Sequence, residues 1–131
     1  MPDKKTLERA HEDAREGKAA STQAGEFVRE EMDHIREGKH GARSAKQAIA
    51  IGLSKARRAG VKLPPPKNQS KETQTKAAQD SAKGRSGSDR KPSAKRSRAV
   101  TAALKREGHK AASHSSLSRQ ARSAATARKR A

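Results

Sequence analysis

The 131-residue chain carries a formal charge of +18, with 35% charged and 30% hydrophobic residues and Phe27 as its one aromatic. So polar a chain has little apolar surface to bury, so a full-length globule is not expected and part of the chain should order only on a partner. The lack of cysteine excludes disulfides, thiol catalysis and zinc fingers, and no segment approaches the ~18 apolar residues of a membrane span.

Residues 4–16 predict a weak, highly charged helix with Leu7, Ala10 and Ala14 as its apolar face, stopped by Gly17. Ser21 or Thr22 then caps a second helix. Ala24, Phe27, Val28, Met32 and Ile35 share one face of it, and Glu26, Glu30, Asp33 and Glu37 form a solvent stripe opposite. Gly38 ends it. The third helix opens with Ser44 and Gln47 as a capping box and closes at Gly60-Val61 in a left-handed cap.

Its apolar stripe is Ala45, Ala48, Ile49, Gly52, Leu53, Ala56 and Ala59, flanked by Lys46 and Arg57 on one side and Lys55 and Arg58 on the other. Gly52 costs about 1 kcal/mol of helix propensity, so its place on the stripe predicts close approach by another helix. Ile51 points away from the stripe as an exposed apolar residue. The short 38–43 loop makes helices two and three an antiparallel hairpin over about residues 21–63. That thin core gives a homodimer burying Phe27, Met32 and Ile49 a physical motive.

The break in character comes at Pro64-Pro65-Pro66. Residues 1–63 hold 14 basic and 10 acidic residues (net +4), residues 64–131 hold 18 and 4 (net +14), and Val, Ile, Leu, Met and Phe are absent from 64–99. The expected organisation is all-α: a small helical domain over 1–63, a Pro/Lys/Ser-rich linker over 64–97, and a largely disordered basic tail over 98–131. Two stretches of the second half, 97–107 and 116–130, are rich in alanine, but like-charge repulsion is expected to keep them unfolded until phosphates neutralise them. In the second stretch Leu117, Ala121, Ala124 and Ala125 oppose Arg119, Arg122 and Arg128-Lys129-Arg130. Arg-Glu-Gly followed by a basic residue recurs at 15–18, 36–39 and 106–110, read as shared helix-end chemistry and not as a repeat.

Nothing in the chain resembles a nucleophile elbow or a phosphate-cradling glycine loop after a strand, so no enzymatic activity and no cofactor are expected. Of His11, His34, His40, His109 and His114, none forms an i, i+4 zinc pair. His34 and His40 straddle a helix end, where a weak metal contact competes with the plainer reading as surface histidines, and no metal is expected.

A short basic stretch is ordinarily a solvated face, but +18 on 14.1 kDa points to a polyanion, and nucleic acid is the commonest. The expected phosphate contacts are Arg43, Lys46, Lys55, Arg57 and Arg58 in the folded part. In the basic half they are Lys91, Lys95, Arg96, Arg98, Lys105, Arg106, Arg119, Arg122, Arg128, Lys129 and Arg130. With Asn68 the sole asparagine and one aromatic, base readout and base stacking have little to work with, so binding should be backbone-directed and weakly selective. Lys91-Pro92-Ser93-Ala94-Lys95-Arg96-Ser97-Arg98 resembles linker-histone tails in composition.

Gly38-Lys39-His40-Gly41-Ala42-Arg43-Ser44, with Lys46 to Ser54 and Ala56-Arg57-Arg58-Ala59-Gly60, resembles a segment of small, basic, uncharacterised bacterial proteins, several of them generically labelled DNA-binding. The resemblance is densest over 21–66. It implies a bacterial source and supports the nucleic-acid reading. With neither a secretory signal nor a membrane span in the sequence, the expectation is a cytoplasmic, nucleoid-associated or accessory protein that binds DNA more than RNA. The competing expectations are a hydrophilic desiccation protectant resembling late-embryogenesis-abundant proteins, a ribosomal-RNA-associated factor, and membrane-surface binding.

Overall fold

The structure is a computed structural model that describes residues 2–65, 70–86 and 93–130, the side chain of Arg130 excepted. Among them are six α-helices, one 3₁₀ turn and no strand. The helices are α1 (Lys4–Arg15), α2 (Ala20–Arg36), α3 (Ala45–Arg58), α4 (Lys71–Ser86), α5 (Ala94–Arg106) and α6 (His114–Arg130), with the turn at Lys110–Ala112. The chain is all-α, as its patterning predicts.

The expectation of a hairpin followed by a disordered tail is wrong. α4, α5 and α6 are formed helices, and the expected linker contains all of α4 and the start of α5. The magnitudes explain the reversal. Repulsion between like charges on a helix surface costs only a few tenths of a kcal/mol per pair and is screened by salt. A serine N-cap contributes about 1 kcal/mol, and each of these helices has one. Ser70 Oγ accepts from the Thr73 N–H (3.3 Å), Ser93 Oγ from Arg96 (3.2 Å) and Ser113 Oγ from Ser116 (3.2 Å).

The chain forms two compact units, residues 1–30 with 50–89, and residues 31–49 with 90–131. The composition boundary at residue 64 lies inside the first. α2 and α3 each contribute to both.

In the first unit Ala10, Ala24, Phe27, Ala56 and Val61 form the core, with Leu7, Ala20, Leu53, Ala59 and Leu63 packed against it. α1 buries Thr6, Ala10 and Asp13, whereas Ala14 is exposed. The close approach predicted at Gly52 is present: a Cβ there would stand 2.7 Å from Val28 Cα. Ile51 is half-buried, not exposed.

α4 docks without a large apolar residue. Its inner face is Ala77, Asp80 and Gly84, and a Cβ on Gly84 would meet the Arg57 carbonyl oxygen at 2.1 Å. The Asp80 carboxylate accepts from Ser54 Oγ (2.6 Å), Arg58 Nε (2.8 Å) and Lys76 Nζ (3.3 Å). Small residues let the backbones approach, and one buried carboxylate supplies the polar attachment.

The second unit buries Met32, Ile35, Ala42, Ala45, Ala48, Ala111 and Ala112. Its framework is the loop between α2 and α3 laid along the chain that leaves α5. The Gly41 N–H donates to the Leu104 carbonyl (2.8 Å), that of Ala42 to Gly108 (3.0 Å), and Arg36 Nε to Ala112 (3.1 Å). At the end of α5 the Leu104 carbonyl accepts twice, locally from the Glu107 N–H (3.1 Å) and across the unit from Gly41. A Cβ at Gly41 would lie 2.1 Å from the Glu107 carbonyl oxygen, so only glycine fits.

Several local expectations change on the same physics. Phe27 and Met32 are 0% and 5% exposed within the single chain, which removes them as a motive for dimerisation. Glu30 is buried and accepts from the Asp3 N–H, so the acidic face of α2 is not a solvent stripe throughout. α2 begins at Ala20, so Ser21 and Thr22 are helical residues and not caps. Left-handed glycines end α1, α2 and α3 at Gly17, Gly38 and Gly60, but Gly108 adopts no positive φ. The Arg-Glu-Gly triplet at 106–108 therefore does not form a cap of this type.

Candidate nucleic-acid interface

The second unit contains a cleft of about 400 Å³ lined by the start of α3, the 3₁₀ turn and the first half of α6. Arg43 and Lys46 stand on one wall, Lys110 and Arg119 on the other, and Ser44, Ser116, Gln120 and Ser123 complete the polar lining. No carboxylate lines it. None of the four cations makes an ion pair among the described residues.

The start of α3 is built with care. Ser44 Oγ accepts from the Gln47 N–H (3.1 Å), while Gln47 Oε1 accepts from the Arg43 N–H (2.6 Å). The predicted capping box is thus real, with the return bond displaced one residue to Arg43. It leaves the N–H groups of Ala45 and Lys46 in the first turn without intrahelical partners. Together with the dipole of α3 they favour negative charge at the cleft. Four cations, hydroxyls, a side-chain amide and a helix start form a set suited to phosphate oxygens.

The residues expected at phosphates divide into groups. Arg43, Lys46 and Arg119 meet at the cleft. Lys110, which no sequence pattern singles out, joins them from the 3₁₀ turn, where the neighbouring Ala111 and Ala112 are buried. Lys95, Arg96, Arg98, Lys105 and Arg106 are exposed along α5, which buries no residue. Arg122, Arg128 and Lys129 are exposed on α6, and Lys55 is half-buried. Lys91 and the side chain of Arg130 lie outside the described residues.

Two residues are committed elsewhere. Arg57 is 7% exposed, and its guanidinium donates to the carbonyls of Leu63 (3.3 Å) and Pro64 (3.1 Å). It fastens the extended segment after α3, and burial lowers its pKa against the opposing pull of Asp80. Arg58 is tied to Asp80. The signal for Arg57 was in the helical period, since it follows Ala56 at the edge of the apolar stripe.

Among the described residues no helix is long and apolar enough to cross a membrane. Neither the curated proteins nor the solved structures contain a match to the chain. Residues 15–67, less than half of the chain, match a family described as a family of unknown function (DUF6496). The matched segment carries the Arg43–Lys46 wall of the cleft, while Lys110 and Arg119 lie beyond it.

Proposed function

We propose that the protein is a non-enzymatic nucleic-acid-binding protein, nucleoid-associated or accessory, that grips the phosphate backbone of DNA with weak sequence selectivity. The observation that carries this reading is the cleft of Arg43, Lys46, Lys110 and Arg119 at the start of α3, with no acidic residue in its lining. The exposed basic residues of α5 and the net charge of +18 extend the attraction along a polyanion. Binding proceeds by counterion release, and selectivity is low because contacts to phosphate carry no sequence information directly.

Fluorescence anisotropy of a random-sequence DNA duplex, titrated with salt against the full chain, tests this. The Lys46→Ala/Arg119→Ala double variant is expected to lower the magnitude of the log–log salt slope by about 1.8, or roughly 0.9 per lost phosphate contact. Arg9→Ala, at an exposed position of α1, is expected to change it far less. A matched RNA in parallel measures the DNA preference. No binding near ~0.15 M salt, where non-specific binders show Kd of about 10⁻⁴–10⁻⁶ M, or equal losses in the cleft and control variants, would overturn the proposal.

A further inference from the structure

A different set of side chains in the second unit converges with metal-ligand chemistry. Glu31 and His34 stand one turn apart on α2, and His40 returns to them just after the left-handed turn at Gly38. A Glu31 carboxylate oxygen and one ring nitrogen from each histidine all lie within 4.8 Å of one another. The Glu31 side chain is 1% exposed and that of His40 14%, so the cluster is largely withdrawn from solvent.

Orientation makes the cluster more than a coincidence of residue types. His40 Nδ1 is 2.9 Å from the Gly41 carbonyl oxygen. A carbonyl only accepts, so the proton belongs on Nδ1 and the lone pair of the neutral ring falls on Nε2. That Nε2 lies 3.3 Å from Glu31 Oε2. Ligand atoms held at about 2.0–2.1 Å from a tetrahedral ion stand about 3.3 Å from each other. The two imidazoles meet edge to face, 79° apart with centroids at 6.0 Å, so they do not stack. A backbone carbonyl that fixes the tautomer of a ligating histidine is the usual outer partner of such a site.

We infer that Glu31, His34 and His40 bind one divalent transition-metal ion of the zinc class. Two imidazoles and one carboxylate suit Zn²⁺, Co²⁺ or Ni²⁺ over Mg²⁺ and Ca²⁺, which prefer all-oxygen ligands. Three protein ligands leave a fourth position for water. The ion joins the end of α2 to the loop that follows it, and the same loop donates from Gly41 and Ala42 to the chain leaving α5. The site is independent of the nucleic-acid reading, because none of its ligands lines the basic cleft.

The test uses the full, unaltered chain first. Zn²⁺ is added while the histidine ring protons are followed by NMR, and Co²⁺ is added while its visible ligand-field bands are recorded. One equivalent is expected to move the His34 and His40 resonances and leave those of His11, His109 and His114 in place. Glu31→Gln and His40→Ala are then expected to weaken Zn²⁺ binding by at least about tenfold, with helicity checked by circular dichroism. The inference is overturned if the resonances of all five histidines move together. It is overturned equally if Zn²⁺ binds the folded Glu31→Gln and His40→Ala variants as tightly as the original chain.

Discussion

At Gly52 two effects of opposite sign meet in one residue. Alanine in its place would gain about 1 kcal/mol of helix propensity. The added methyl, however, would sit 2.7 Å from Val28 Cα and 3.0 Å from Val28 N. Backbone atoms of a packed helix cannot swing aside as a side-chain tip can, so the helices must separate, at a cost of about 1–3 kcal/mol. Gly52→Ala is therefore expected to lower the urea midpoint. Gly25 provides the contrast: it is exposed within α2, with nothing within 4 Å of an added Cβ. Gly25→Ala should raise the midpoint by the propensity term alone, up to about 1 kcal/mol. If both variants shift the same way, the packing account of Gly52 is wrong.

At the scale of the element, α4 depends on charge where its neighbours depend on apolar contact. Burial pushes the Asp80 carboxyl up, the largest single influence. The hydrogen bonds from Ser54 and Arg58 and the charges of Arg58 and Lys76 together outweigh it and hold the group below its usual value. The unfolded chain therefore takes up this proton more readily than the folded one. The stabilisation is complete above the ordinary aspartate pKa of about 3.9 and is lost as pH falls through the lower folded value. Hydrogen exchange of the α4 amides measures the outcome. At neutral pH Asp80→Asn should reduce their protection by about 1–2 kcal/mol, since Arg58 and Lys76 are half in water and their share is screened. Well below pH 4 the variant and the original chain should converge. A difference that persists unchanged there would assign the docking to shape alone.

The helices of the first half were legible because Phe27, Met32, Ile35 and Leu53 mark a period, and caps such as Ser44 and Gly60 mark the ends. α4 was not legible, because its contact face is Ala77, Asp80 and Gly84, which hydropathy reads as linker. The cleft was half legible. Arg43, Lys46 and Arg119 stand out as cations, but a sequence does not tell which of 32 basic residues converge, and Lys110 is placed by the burial of its neighbours. Glu31 escaped notice because it lies off the anticipated acidic stripe of α2. Without it the histidine pair had no third ligand.

For the molecule as a whole, the question is whether binding and folding are one event or two. An unfolded basic tail would gain helix as phosphates neutralise it, and the affinity would carry the cost of that ordering. Helices already capped by Ser70, Ser93 and Ser113 have little ordering left to undergo. In the proposed binding the cleft would meet phosphate as a preformed surface, with Arg43 just before α3, Lys46 on α3, Lys110 in the 3₁₀ turn and Arg119 on α6. Circular dichroism of the free chain should accordingly show about two-thirds helix, and adding DNA to saturation should leave that fraction nearly unchanged. The heat capacity of binding, read by calorimetry at several temperatures, should be small, since little apolar surface is newly buried. A large rise in helicity with DNA would instead make the second half of the chain a segment that folds on its partner, and the salt-dependent affinity would then include that folding.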